Sequence, residues 1–180
     1  MQKKRIMIVV YTLLGLISLL FIVALFTKKE YVVKREIVIN KQDSIVYDYL
    51  RLFKNHKTFN AWYLRDPKMK ETTKGTDGQI GFVLSYKGNK DLGAGEQVLT
   101  GLEPNRKINI ELRFIKPFKS IAQTPYDLQP VGSNQTKVTW TMNGRMNYPM
   151  NIALLFINMD KFLGKDVQLS LENLKINLEK

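Results

Sequence analysis

Apolar and polar positions divide this chain into three stretches with different periods. The first stretch has no period. Ile6 to Phe26 is a run of 21 residues without a charge, rich in Ile, Leu, Val and Phe. At 1.5 Å per residue such a helix is roughly 31 Å long, about the hydrocarbon thickness of a bilayer. It is apolar on every face, so it reads as a membrane span and not as a core helix. A cleaved secretory signal has an apolar region of about 7–15 residues and small residues at an A-x-A spacing. This run ends in Ala24-Leu25-Phe26-Thr27-Lys28-Lys29, which has no such site. The expectation is a basic tail over 1–5, a retained anchor over 6–26, a short linker over 27–30 and one domain over 31–180.

From residue 31 the period is mostly two. Tyr31 to Ile39 is rich in β-branched residues and reads as a strand. A helical passage interrupts the pattern. Asp43 or Ser44 can cap a helix through Leu50, in which Ile45, Val46, Tyr49, Leu50 and Phe53 recur at helical spacing. A second short helical piece falls near 57–62, and Met69 to Thr76 reads as a marginal edge strand. Next, Ile80, Phe82, Leu84 and Tyr86 alternate with Gly81, Val83 and Ser85. Gly88-Asn89-Lys90-Asp91 turns the chain into a strand over 96–102, and Glu103-Pro104-Asn105-Arg106 turns it again. The clearest alternation sets Ile108, Ile110, Leu112 and Phe114 against Lys107, Asn109, Glu111 and Arg113, giving one buried and one wet face. Ser120 to Leu128 is a weaker strand with Pro125 at an edge or bulge. Val138, Trp140 and Met142 share one face of the strand after it.

The third stretch steps by three or four. Ile152, Phe156, Met159, Leu163, Val167, Leu171, Leu174 and Leu178 predict one long amphipathic helix from about Pro149, with Gly164 marking a bend. A curved antiparallel sheet with one apolar face needs a cover, and such a helix supplies it. The class is α+β, with two short helices after the first strand.

Several segments carry a family likeness. Arg35 to Asn40 matches a family's usual start, and Asn55-His56-Lys57-Thr58-Phe59-Asn60-Ala61-Trp62 its tryptophan-bearing segment, with Phe59 where the first of two tryptophans often stands. Tyr63 to Lys70, Gly88 to Gly95, Lys116-Pro117-Phe118 and Val138 to Gly144 are further matches. Over essentially 30–180 the chain resembles the SRPBCC superfamily, the helix-grip domains that include START lipid-transfer proteins, birch-pollen-type allergens and polyketide cyclases. It is nearest the bacterial polyketide cyclase/dehydrase-like branch. The resemblance implies a helix-grip fold with a cavity between the sheet and the C-terminal helix. The lining candidates are Trp62, Phe82, Leu84, Tyr86, Leu99, Ile110, Leu112, Phe114, Tyr126, Trp140, Met142, Phe156, Met159 and Leu163. Tyr86, Tyr126 and Trp140 would supply orienting polar groups, and Met142 and Met159 an adaptable wall.

Charge narrows the partners. The chain has 28 basic and 16 acidic residues, and Lys3, Lys4 and Arg5 are the only charges before residue 27, so the remainder carries +9. The basic residues are scattered with no dense run after Arg35, which argues against nucleic acid, while a domain tethered at the bilayer is expected to be drawn towards anionic headgroups. The cluster before the span resembles a signal-anchor flank, which puts the N-terminus in the cytoplasm. The expectation is a single-pass protein of a bacterial cytoplasmic membrane with its domain extracytoplasmic. The absence of cysteine fits an oxidising compartment.

Chemistry is sparse. His56 is the only histidine and, between Asn55 and Lys57, is expected to be solvated. With no cysteine, it leaves no metal set. Glu111 and Arg113 should point away from the core, and Asp160 and Asp166 should sit on the wet side of the last helix. The glycines at 88, 93 and 95 lie in a hairpin, so no phosphate loop is expected. No catalytic constellation and no cofactor motif is evident, and oligomeric state leaves no mark. The expected function is a membrane-anchored binding module for a hydrophobic or lipid-like small molecule. The alternatives are a polyketide cyclase or aldol-type enzyme and a ligand-free envelope interaction domain.

Overall fold

The computed structural model describes residues 2–90 and 92–180; Met1 of the basic tail and Asp91 of the expected 88–91 turn lie outside them. Helix α1, Gln2–Phe26, is among the described residues the one helix long and apolar enough to cross a membrane. It takes in Lys3, Lys4 and Arg5 ahead of the apolar run. Thr27 ends it by folding its hydroxyl back on the Val23 carbonyl at 2.9 Å.

Strand β1, Glu30–Ile39, starts three residues later and pairs antiparallel with β8, Gln135–Arg145, from Glu30 opposite Arg145 to Ile39 opposite Thr136. After β1 come α2 (Asp43–Leu50), α3 (Phe53–His56) and α4 (Ala61–Arg65). The helical piece expected near 57–62 meets only the start of α4, since residues 57–60 form a turn between α3 and α4. Asp77 caps the start of α3 from a distance, its carboxylate accepting from the Phe53 and Lys54 amides at 2.8 and 3.0 Å. The Asn60 side chain caps α4 by accepting from the Trp62 amide.

The remaining strands are β2 (Lys70–Lys74), β3 (Val83–Lys87), β4 (Ala94–Glu103), β5 (Lys107–Lys116), β6 (Ser120–Gln123) and β7 (Tyr126–Gly132). All eight form one antiparallel sheet in the order β1-β8-β6-β5-β4-β3-β2, with β7 pairing β5 and β8. Pro125 interrupts the strand expected over 120–128 and separates β6 from β7. Ile80, read as an inward strand residue, precedes β3 and is exposed.

Helix α5, Met159–Glu179, covers the sheet with Val167, Leu171, Leu174 and Leu178 at helical spacing. Its polar positions clamp neighbouring segments: Ser170 accepts from the Ala61 amide, Asn173 donates to the Phe59 carbonyl, and Asp160 pairs with Arg35 at 2.7 Å. The single helix expected from Pro149 is in fact two elements. Met150–Leu155 is a 3-10 segment, and α5 begins afresh where the Asn158 side chain accepts from the Lys161 amide. Helix α5 runs on through Gly164, where the Arg35 guanidinium crosses so closely that a Cβ would overlap it.

Candidate ligand cavity

Period two on three strands aims large side chains at α5. Strand β3 presents Tyr86, β5 presents Ile110, Leu112 and Phe114, and β8 presents Trp140 and Met142. These residues and the ends of α4 and α5 enclose a cavity of about 830 Å³. Gly95 stands opposite Tyr86 in the β3–β4 ladder, and a Cβ there would come 2.5 Å from the Tyr86 hydroxyl, so only glycine leaves room for that ring.

Aromatic rings organise one wall. Tyr126 and Trp140 are direct cross-strand partners, stacked with centroids 4.9 Å apart. Trp62 meets Trp140 edge-on at 6.1 Å, and His56 meets Tyr126 at 6.1 Å. The Trp140 indole N–H is buried and has no hydrogen-bond partner among the described residues.

His56 corrects the sequence reading: it is buried, not solvated, and lines the cavity. Its Nε2 lies 2.8 Å from the Leu50 carbonyl, which can only accept, so Nε2 carries a proton. Burial lowers its pKa from the usual histidine value, so the ring stays neutral and Nδ1 keeps a lone pair. Next to it, the Gln97 amide donates to the Tyr63 hydroxyl at 3.1 Å. Burial pushes the Tyr86 phenol up to about 12 and raises Tyr63 and Tyr126 as well, so all three are neutral donors. Towards the rim, Arg65 pairs with Asp166, and the Asp66 carboxylate accepts from the Asn89 amide at 2.7 Å. Asp166 therefore borders the cavity, where the wet face of the helix had been expected.

No family model matches the chain, and no curated protein matches it. Solved structures do. Protein CV1439 from Chromobacterium violaceum superposes with a TM-score of 0.60 at 14% identity, over 83% of this chain and 97% of that one. Truncated norcoclaurine synthase from Thalictrum flavum gives 0.64 at 11%, over 84% and 95%. The di-domain ARO/CYC protein StfQ of the steffimycin biosynthetic pathway gives 0.62 at 12%, over 84% of this chain and 51% of that one. The chain has the helix-grip fold. At such identities the likeness is one of fold alone.

In this helix-grip cavity nine of the fourteen sequence candidates reach the wall: Trp62, Tyr86, Ile110, Leu112, Phe114, Tyr126, Trp140, Met142 and Leu163. Phe82, Leu84, Leu99 and Met159 are buried in the core outside the lining. Phe156 is 79% exposed, because it ends the 3-10 segment instead of continuing α5. The wall also contains residues that were not among the candidates, notably His56, Tyr63, Gln97, Phe162 and Asp166. Two of these left a trace in the chain. His56 stands three residues from both Phe53 and Phe59, and Gln97 shares a strand face with Leu99. Among the described residues no three His, Asp or Glu side chains gather as a metal site.

Proposed function

We propose that the chain is a membrane-anchored binding module for a hydrophobic or lipid-like small molecule held in the helix-grip cavity. One observation carries this reading: a mostly apolar cavity of about 830 Å³ whose polar lining includes the hydrogen-bonded Gln97–Tyr63 pair beside His56 and the Arg65–Asp166 ion pair. A ligand pocket of drug-like size is about 300–1,000 Å³, with a few polar groups fixing orientation. An amphiphile suits this layout, its chain against Ile110, Leu112 and Phe114 and its head at the rim. Helix α1 would hold the module in the membrane where such molecules dissolve.

The test is native mass spectrometry of the full chain released from nanodiscs, with Leu112→Trp as the filled-cavity variant. A bound small molecule present in the parent and lost in the variant is the expected result. An empty parent that also takes up no fluorescent acyl probe refutes it.

A second reading, a cyclase or aldol-type catalyst, has one observation in its favour. The buried neutral His56 keeps a free-electron-pair nitrogen in the cavity wall, suited to accepting a proton. Turnover lost in His56→Gln with ligand uptake retained would promote this reading over the first.

A further inference from the structure

The 3-10 segment and its flanks carry a dense set of large apolar side chains with no cover. Phe156 is 79% and Leu155 54% exposed, and Tyr148, Met150 and Ile157 are each more than 40% exposed. Their position is set by the anchor. Asn151, fully buried in the same segment, donates from Nδ2 to the carbonyls of Ala24 at 2.7 Å and Thr27 at 2.9 Å. It thereby satisfies acceptors that the end of α1 leaves open. The Tyr148 ring lies 6.1 Å from that of Phe21. Phe21 is five residues inside the end of α1, about 8 Å along its axis.

The same end of the domain includes the turn after β5. Lys119 and Ser120 share a surface hollow with Arg145 and Asn147, which brings the 60% exposed Phe118 to this side. The cavity reaches it too, since its lining includes Pro117 and the 67% exposed Phe162. Lys28, Lys29 and Lys119 flank the apolar set, the arrangement of a surface that sits among anionic headgroups.

We propose that this end is a second membrane contact. The 148–157 segment is immersed in the interface of the leaflet from which α1 emerges, and the cavity mouth between Pro117 and Phe162 opens onto that leaflet. The occupant of the patch is the lipid bilayer itself. The proposal rests on reading α1 as a membrane span, and it gives the cavity's ligand a route that avoids water.

The chain has no cysteine, so single cysteines can be labelled without background. Leu155→Cys, Phe156→Cys and Phe162→Cys each replace an exposed side chain and leave the core intact. A nitroxide on each, in full-length protein in vesicles of phosphatidylglycerol and phosphatidylethanolamine, is measured for collision with oxygen and with a water-soluble nickel chelate. Leu14→Cys reports on the span, and Val131→Cys, at the opposite end of the sheet, on water. The expected result is oxygen-rich, nickel-poor signals at 155, 156 and 162, several-fold away from position 131 and close to position 14. Signals at these three that match position 131, while position 14 reads as lipid, overturn the proposal and leave the anchor standing. A water-like signal at position 14 overturns the anchor reading, and this proposal with it.

Discussion

The pH dependence of stability between 7 and 5 should be set by a single side chain. His56 is the one histidine of the chain, 1% exposed, with Nε2 committed to the Leu50 carbonyl. Burial lowers its folded-state pKa, and the Leu50 bond, the Asp77 charge and the Gln97 side chain oppose that only in part. The unfolded chain takes up its proton near pH 6.5, before the folded state does. Stability is therefore full above about pH 6.5 and falls as the pH drops below it, until the folded pKa is reached. For a folded state that stays neutral over this range, proton uptake by the unfolded chain costs about 2 kcal/mol between pH 7 and 5. With a urea dependence of about 2 kcal/mol per molar, the midpoint should fall, by up to about 1 M. Glu111 and Asp160 are held below the usual carboxylate range by hydrogen bonds from Arg113 and Arg35, and Glu179 by the Asn40 amide, so they titrate below the window. The assay is urea unfolding of the full chain in dodecyl maltoside, followed by emission of Trp62 and Trp140. His56→Gln keeps a donor for Leu50 and should remove the dependence. A parent midpoint that does not move, or a His56→Gln midpoint that moves as far, refutes the reasoning.

Three further outcomes are expected. Trp140→Phe deletes a buried donor that has no partner among the described residues, so stability should stay within about 1 kcal/mol of the parent, whereas Trp140→Ala should lose about 3–5 kcal/mol by urea unfolding. Gly95→Ala places a Cβ 2.5 Å from both the Tyr86 hydroxyl and the Arg113 carbonyl, and should cost about 1–3 kcal/mol while reducing uptake of an acyl fluorophore. Asn151→Ala removes the donor shared by the Ala24 and Thr27 carbonyls and should cost about 1–3 kcal/mol, seen as faster proteolysis at residues 27–30 with unchanged far-UV circular dichroism.

Where one face of an element is wet and the other dry, its residues announced it. Strand β5 alternates without error through Ile110, and α1 carries no charge from Ile6 to Phe26, so both were legible. The 149–158 stretch was misread because Ile152, Phe156 and Met159 happen to keep helical spacing across a break. The Asn158 cap, with Asp160 in the first turn, was the local sign of a new start. His56 was misread from its polar chain neighbours, while the aromatic rings it packs on lie three residues away on either side. Asp166 had no such sign. Its place at the cavity depends on Arg65, which is 101 residues distant in the chain and reaches it only through the packing of α4 on α5.

The joint between helix and sheet bears on how the cavity works. Three connecting residues would allow a domain to swivel, but pairing continues almost to the helix: the Met146 amide donates to the Lys29 carbonyl at 2.8 Å, and Glu30 sits opposite Arg145. Asn151 and the Tyr148–Phe21 contact add a second attachment from a different part of the chain. Two attachments separated by more than a hundred residues define an orientation, whereas one defines only a distance. Strand β1 then carries the structure from Glu30 at the joint to Ile39, about 30 Å away. Because Met142 lies on β8 opposite Val33, near the joint, and Trp140 lies opposite Arg35, further from it, the cavity wall extends along this axis. A ligand entering past Phe162 would travel away from the joint towards Trp140, Tyr126 and His56, so its polar end would remain near Arg65 and Asp166 while its apolar end moved inward.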